Sequence, residues 1–173
     1  MIWTTPQPLY DVLNREFHFV VDLCADEGNA KHTIWFSRQE SLHLNWDGEG
    51  VGWLNPPFGR EISEWTKKVV ETTRIIVACL PGRTNPPWWH DHVMQAKQVR
   101  FLKKKQGFDG EHGNKGVPPW GVVIAIFYPY GKRGYFERDR ATPEFISWDW
   151  RADSIRRQID IDNLARSYSM EWR

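Results

Sequence analysis

Cysteine is scarce in this 173-residue chain. It carries only Cys24 and Cys79, too few for a disulfide framework or a thiolate zinc ribbon. Each closes an apolar run, Val-Val-Asp-Leu-Cys and Ile-Ile-Val-Ala-Cys, as expected of buried, reduced thiols. Long hydrophobic runs are missing as well. No stretch approaches the ~20 apolar residues of a membrane span, and Met-Ile-Trp-Thr-Thr-Pro lacks the charged and apolar regions of a signal peptide. A soluble, intracellular protein without a membrane partner is expected. Charge of one sign is lacking too: 23 Lys plus Arg face 22 Asp plus Glu, for a net charge of +1. That excludes a basic arm or an acidic tail as the main device, but leaves room for a local phosphate-binding patch. No internal repeat or low-complexity tract is present. The length fits one domain, and 40% apolar with 26% charged residues is a globular composition. Tryptophan is abundant, at 11 residues. That excess suits planar ligands and small cores equally.

Thr5-Pro6 reads as a helix start, with Thr5 as N-cap and Pro6 at the first helical position. Leu9, Val12 and Leu13 then carry a helical stripe to about Glu16. His18 to Leu23 is a buried strand ending near Asp22. Residues 24–50 are polar and irregular, with a short strand at 33–36. Val51 to Leu54 is a strand stopped by Asn55-Pro56-Pro57. Ile62, Trp65 and Val69 share one face of a helix over 61–72. Arg74 to Leu80 is the clearest buried strand, and Trp88 to Ala96 reads as a helix. Val99 to Leu102 and Gly121 to Tyr128 are strands with no helix between them, only the Gly- and Pro-rich loop 107–119, so they should pair antiparallel. Continuous apolar strands alternating with helices predict an α/β fold around a mostly parallel sheet. From Gly131 the composition shifts to Arg, Asp and Trp, with a helix at about 152–168. Residues 131–173 read as an appendage that is not obviously part of the sheet and is not an independent domain.

Asn55-Pro56-Pro57-Phe58 follows a short apolar strand, where an open α/β sheet places its ligands. These residues suit methylation of a conjugated planar amine, whose nitrogen is a poor nucleophile because its lone pair is delocalised. Two acceptors aimed at its two N–H groups favour the pyramidal form and turn the lone pair outward. The Asn55 side-chain oxygen and the Pro56 carbonyl supply them as preorganised dipoles. Consecutive prolines stiffen the turn, and Phe58 offers a face for a planar target. The blander alternative is a strand-ending Pro-Pro turn followed by a core phenylalanine.

The chain resembles the phage and prophage DNA N6-adenine methyltransferases (Dam-type), which have the S-adenosylmethionine-dependent class I fold. The resemblance runs through Thr5-Pro6-Gln7, Asp22-Leu-Cys-Ala25, Asn29-Ala-Lys31, Asn45-Trp46, Asn55-Pro-Pro-Phe58 and Leu80-Pro-Gly-Arg83-Thr84. It continues through Trp88-Trp-His90-Asp91, Arg100-Phe101, Gly107-Phe108-Asp-Gly110 and the strand at 121–128, covering about residues 4–128. It implies a catalytic domain at 1–130 with a Rossmann-like sheet, shortened at 24–50, working in the cytoplasm of a bacterial host. Asn55, Pro56, Pro57 and Phe58 would receive a flipped adenine of double-stranded DNA. S-adenosylmethionine would be the methyl donor, held by Thr5, Pro6, Asp22, Ala25 and Glu40, with no metal. No G-x-G turn follows the first strand, and only Gly28 stands there. The donor has no phosphates for such a turn to cradle.

Lys97, Arg100, Lys103, Lys104 and Lys105 gather cations before the Gly-rich loop. They read either as a phosphate-contact patch or as a solvated strand end. Arg83, Thr84 and Phe108 join Arg100 and Lys103–Lys105 as candidate DNA contacts. His90 and His92 point to different sides of a helix with no third ligand nearby, which disfavours a metal site. Arg133, Arg138, Arg140, Arg151, Arg156 and Arg157, interleaved with Trp148 and Trp150, read as DNA contact or as docking onto the core or onto a second subunit of a homodimer. Two alternatives to DNA adenine methylation stay open. One is methylation of another amide or amine, such as a protein glutamine or an RNA base. The other is a non-catalytic DNA-binding relic of the fold.

Overall fold

A computed structural model describes residues 4–104, 106–109, 115–129 and 143–153. In chain order the strands are β1 (Phe19–Ala25), β2 (Trp35–Ser37), β3 (Val51–Leu54), β4 (Ile75–Pro81), β5 (Gln98–Leu102), β6 (Phe108–Asp109), β7 (Lys115–Gly116), β8 (Val122–Phe127) and β9 (Glu144–Trp148). Seven of them form one sheet in the order β2-β1-β3-β4-β8-β5-β9, and β6 and β7 pair with each other. Both pairings of β8 are antiparallel and every other pairing in the seven-stranded sheet is parallel. Six strands therefore run one way and β8 runs against them, which includes the antiparallel β5–β8 pair predicted from the missing helix.

The helices are α1 (Gln7–Phe17), α2 (Ile62–Glu71) and the single turn α3 (Pro87–Asp91). Strand alternation sorts the core onto the two faces of the sheet. Ile76, Ala78 and Leu80 of β4 pack with Trp65 and Val69 of α2 and with Trp88 and Trp89 of α3. Val77 and Cys79 of the same strand face Leu9, Tyr10, Val12 and Leu13 of α1. The apolar stripes read from the sequence for α1 and α2 are the buried faces of those helices.

Four local expectations need correction. Thr5 does not cap α1. Pro6 is the N-cap residue, its carbonyl accepts from the Leu9 amide at 3.1 Å, and the helix has no side-chain cap. The helix expected over 88–96 breaks after one turn. His92 is its C-cap, its amide donating to the Trp88 carbonyl at 3.0 Å, and a separate 3-10 turn spans Val93–Gln95. The loop expected over 107–119 contains β6 and β7. The tail is not wholly outside the sheet either, because β9 pairs in parallel with β5 from Gln98↔Glu144 to Leu102↔Trp148. Its period-two pattern, with Ile146 and Trp148 turned to the α1 face, is masked in sequence by the charged residues around it. Most of the helix expected at 152–168 lies outside the described residues, as do Arg133, Arg138, Arg140, Arg156 and Arg157.

The irregular stretch between β2 and β3 is held by side chains that satisfy its backbone. The Arg74 guanidinium donates to the carbonyls of Trp46 (2.9 Å), Asp47 (3.3 Å) and Glu49. The Asp47 carboxylate accepts from the Thr73 amide at 2.7 Å. Gly50 sits at φ +77 with Val20 packed where a Cβ would stand, so this bend requires glycine.

Candidate active site

The chain leaves β1 outward to β2, then crosses back over β1 to enter β3. That reversal opens a crevice beyond the carboxyl ends of β1 and β3, the switch point where open α/β sheets hold ligands. The cleft there is open to solvent and takes in about 460 Å³ of space between its walls and the surrounding water. Thr5 from the N-terminal segment, Asp22 and Ala25 from β1, and Asn55, Pro56 and Pro57 from the turn after β3 all line it. Residues far apart in sequence, expected on different grounds, thus face one space.

Thr5 is 1% exposed, and its hydroxyl has no hydrogen-bond partner among the described residues. A buried hydroxyl released from helix capping and facing a cleft is set to meet a ligand. Thr4 is fixed by its backbone: its amide donates to the Asp109 carbonyl at 2.9 Å, and the Asp109 amide donates back at 3.1 Å. The Gly-rich loop, through β6, therefore holds the N-terminal segment at the cleft.

Asp22 is 2% exposed. Its carboxylate accepts from the Cys24 amide at 3.2 Å and from the Lys31 amide at 3.0 Å, which ties the loop after β1 back onto the strand. Burial pushes its pKa up to about 6, against the opposing pull of those two amides and of the Lys31 and His32 charges. Burial and the charges of Asp22 and Asp11 push the Tyr10 phenol up to about 12. Its hydroxyl is buried with no hydrogen-bond partner among the described residues.

A carboxyl whose folded pKa lies above the unfolded value of about 3.9 binds its proton more tightly when folded. Asp22 therefore contributes most stability at low pH, and that contribution falls as the pH rises from about 4 to 6. Asp22→Asn should remove this dependence, at the cost of one amide acceptor. Urea unfolding of both proteins should show the variant gaining on the wild type across that window, with a constant gap above it. Parallel curves would show that the carboxylate is not strained by burial.

No glycine turn is needed after β1. The Asp26 amide donates to the Asn29 side-chain oxygen at 2.9 Å, and the Asn29 amide donates to the Asp26 carbonyl at 3.0 Å. This reciprocal pair closes the turn. Gly28 is not in the left-handed region, and a Cβ there would meet nothing within 4 Å. Asp26 also pairs with Arg38 at 3.5 Å. Asp26, Asn29, Lys31, Arg38, Cys24 and Trp53 line the cleft without having been singled out as site residues. Asn29 and Lys31 lie within the Asn-Ala-Lys motif, and Trp53 stands two residues before Asn55, so strand alternation pointed to it. Arg38 has no sequence signal. Burial raises the pKa of the Cys24 thiol, which keeps it protonated and unreactive.

Not every expected residue reaches the cleft. Pro6 caps α1 and is not part of the lining. Glu40 is exposed at the start of a 3-10 turn (Ser41–His43), outside the cleft, whereas Arg38, two residues earlier, is part of the lining. Phe58 is half-buried beside the lining, with its ring edge-on to Phe108 at 5.8 Å and 83°.

The candidate DNA contacts separate by environment. Arg83 and Thr84 are exposed on the loop after β4. Lys103 and Lys104 are exposed after β5, and Lys105 lies outside the described residues. Arg100 is spent internally. It grips Glu16 through both terminal nitrogens at 2.8 and 2.5 Å and stacks on Phe17 and Trp148 at 5.4 and 5.1 Å. Phe108 is 0% exposed, so it braces Phe58 and does not reach outward. In the His90/His92 pair, the His92 Nδ1 is engaged with the Thr66 hydroxyl at 2.9 Å. Among the described residues no three His, Cys, Asp or Glu side chains gather as metal ligands, and no helix is long and apolar enough to cross a membrane.

A model of the family described as DNA N-6-adenine-methyltransferase (Dam) matches residues 1–132. Comparison with individual curated proteins gives no match.

Proposed function

Since the chain belongs to the DNA N-6-adenine-methyltransferase (Dam) family, and so is a transferase that methylates adenine in DNA, we propose that the cleft between β1 and β3 is where donor and target base meet. The observation that carries this is the shared lining: Asn55-Pro56-Pro57 faces the same space as Thr5, Asp22 and Ala25, at the switch point of the sheet. The strand order, with β8 alone reversed, supports a Rossmann-like class I methyltransferase sheet.

The donor we infer is S-adenosylmethionine, which supplies an electrophilic methyl group on a sulfonium sulfur. The cleft suits a zwitterionic nucleoside. It offers the unpartnered Thr5 hydroxyl, the Asn29 amide, the Lys31 and Arg38 cations and the Asp22 and Asp26 carboxylates, with Trp53 as apolar lining.

The target adenine has to leave the base stack to reach a residue lining a cleft. Phe58, in edge contact with the buried Phe108, takes the base on its ring. The Asn55 side-chain oxygen and the Pro56 carbonyl accept the two N6 hydrogens and favour the pyramidal amine, whose lone pair then leaves the ring conjugation. The nitrogen forms the bond to the methyl carbon while the carbon–sulfur electrons return to sulfur. The methylated nitrogen is acidic and loses its proton to water, so no histidine base is required. Arg83, Thr84, Lys103, Lys104 and Lys105 are the proposed contacts to DNA. Trp148 and Trp150 support a packing role for the start of the tail. The Trp150 indole, 6% exposed, donates to Gln106 at 3.1 Å, and the Trp148 indole donates to Asp153 at 2.7 Å.

Incubation with labelled donor and, separately, adenine-containing duplex DNA, RNA and protein tests the proposal. Label on N6 of adenine in the duplex is expected. Label confined to RNA or protein would redirect the substrate. Absence of donor binding by calorimetry with DNA present would point to a non-catalytic binding protein.

A further inference from the structure

We propose that Arg83, its guanidinium placed over the Trp120 ring, is a fork-shaped grip on DNA beside the target base, with Trp120 as the residue that positions it. This rests on the cleft being the site of base methylation. Leu54 is level with Ala78 across β3 and β4, so Asn55 stands near the level of Cys79, and Arg83 follows four residues later. The loop carrying it rises beyond the turn at Asn55, at the carboxyl edge of the sheet.

That loop is pinned at both ends. The Gly82 amide donates to the Gly121 carbonyl at 2.7 Å, and a Cβ on Gly82 would stand 3.1 Å from the same oxygen. Pro86 and Pro87 stiffen the other end as α3 begins. Arg83, Thr84 and Asn85 are exposed between these anchors.

The Arg83 guanidinium lies 5.1 Å from the centroid of the Trp120 ring. Unlike Arg38, Arg74 and Arg100, it makes no ion pair or hydrogen bond to another side chain or carbonyl among the described residues. The indole shields one side of the guanidinium and restricts its motion, and the N–H groups it does not cover remain for a pair of acceptors. Two parts of DNA present such a pair: the two oxygens of a phosphate, and O6 with N7 of guanine in the major groove. A lysine supplies the charge without the fork.

Arg83 and Trp120 are both accessible to substitution without opening the core. Affinity for an adenine-containing duplex, read by fluorescence anisotropy without methyl transfer, should fall about 10- to 100-fold for Arg83→Ala, the scale of one charge-assisted bidentate contact. Arg83→Lys should fall nearly as far. Trp120→Leu should lose part of the affinity and Trp120→Phe should keep it, while donor affinity stays constant in all four. Methylation across a panel of adenine contexts identifies the acceptor. Loss confined to adenines with guanine at one flanking position assigns the guanine edge. Uniform loss, with the salt slope reduced by about one, assigns a phosphate. Arg83→Lys binding within about twofold of wild type, or Trp120→Leu unchanged, would overturn the proposal. Binding is read apart from chemistry, so an inactive wild type would count against the proposed reaction and leave this test standing.

Discussion

Asn55→Ala is expected to lower the rate of methyl transfer by about 100-fold or more, on the scale of removing one preorganised polar partner from a transition state. Donor and DNA affinity should change little. The expectation rests on where Asn55 stands. It is the first residue after β3, in a turn whose next residue, Pro56, is buried and whose backbone is stiffened by a second proline. Its side chain enters the cleft on a fixed stem and loses little freedom when it engages the amine. Asn55→Asp keeps an acceptor of the same shape and should retain more activity than Asn55→Ala. Single-turnover rates at saturating donor and DNA separate the two variants. A kcat for Asn55→Ala within a few-fold of wild type would remove the residue from the chemistry.

Phe108→Ala is expected to cost about 3–5 kcal/mol of stability, the range for emptying a large aromatic site in a core. That is a sizeable share of the ~5–15 kcal/mol that holds a typical domain together. Phe108 is fully buried among the residues on the α1 face, Trp53 included, and its ring meets the ring of Phe58 edge-on. The same strand carries Asp109, whose backbone holds Thr4 at the cleft. The substitution should therefore act twice, by destabilising the fold and by loosening the ring proposed to receive the base. Phe108→Leu keeps most of the volume and should recover much of the stability without restoring the edge contact. Denaturant unfolding measures the first effect. The KM for DNA in the leucine variant measures the second, and a wild-type value there would show that Phe58 needs no brace.

Periodicity and punctuation make the framework readable in the sequence. The stripes in α1 and α2, the apolar run of β4 and the Pro-Pro stop after β3 are local signals, and each corresponds to an element of the fold. The site was readable where chemistry is concentrated in adjacent residues, as at Asn55-Pro56-Pro57. It was less readable where long-range contacts decide. Nothing near Arg100 announces that Glu16 and Trp148, distant in sequence, will consume its guanidinium. Phe108 sits in a Gly-rich stretch that resembles an exposed loop, yet β6 folds it inward and pairs beside Thr4. Thr5 followed by proline imitates a helix cap, but the helix begins one residue later and leaves the hydroxyl to the cleft. Arg38 enters the site only because β2 packs alongside β1. Such placements depend on strand order, which local sequence does not encode.

The central claim is that this chain transfers a methyl group to N6 of adenine through Asn55. It is tested most directly by mass spectrometry of DNA from methylation-deficient cells expressing either the wild-type chain or Asn55→Ala at equal levels. The account predicts N6-methyladenine in the first DNA and a near-background amount in the second. Equal N6-methyladenine from both, or none from a folded wild-type chain that binds donor and DNA, would contradict it.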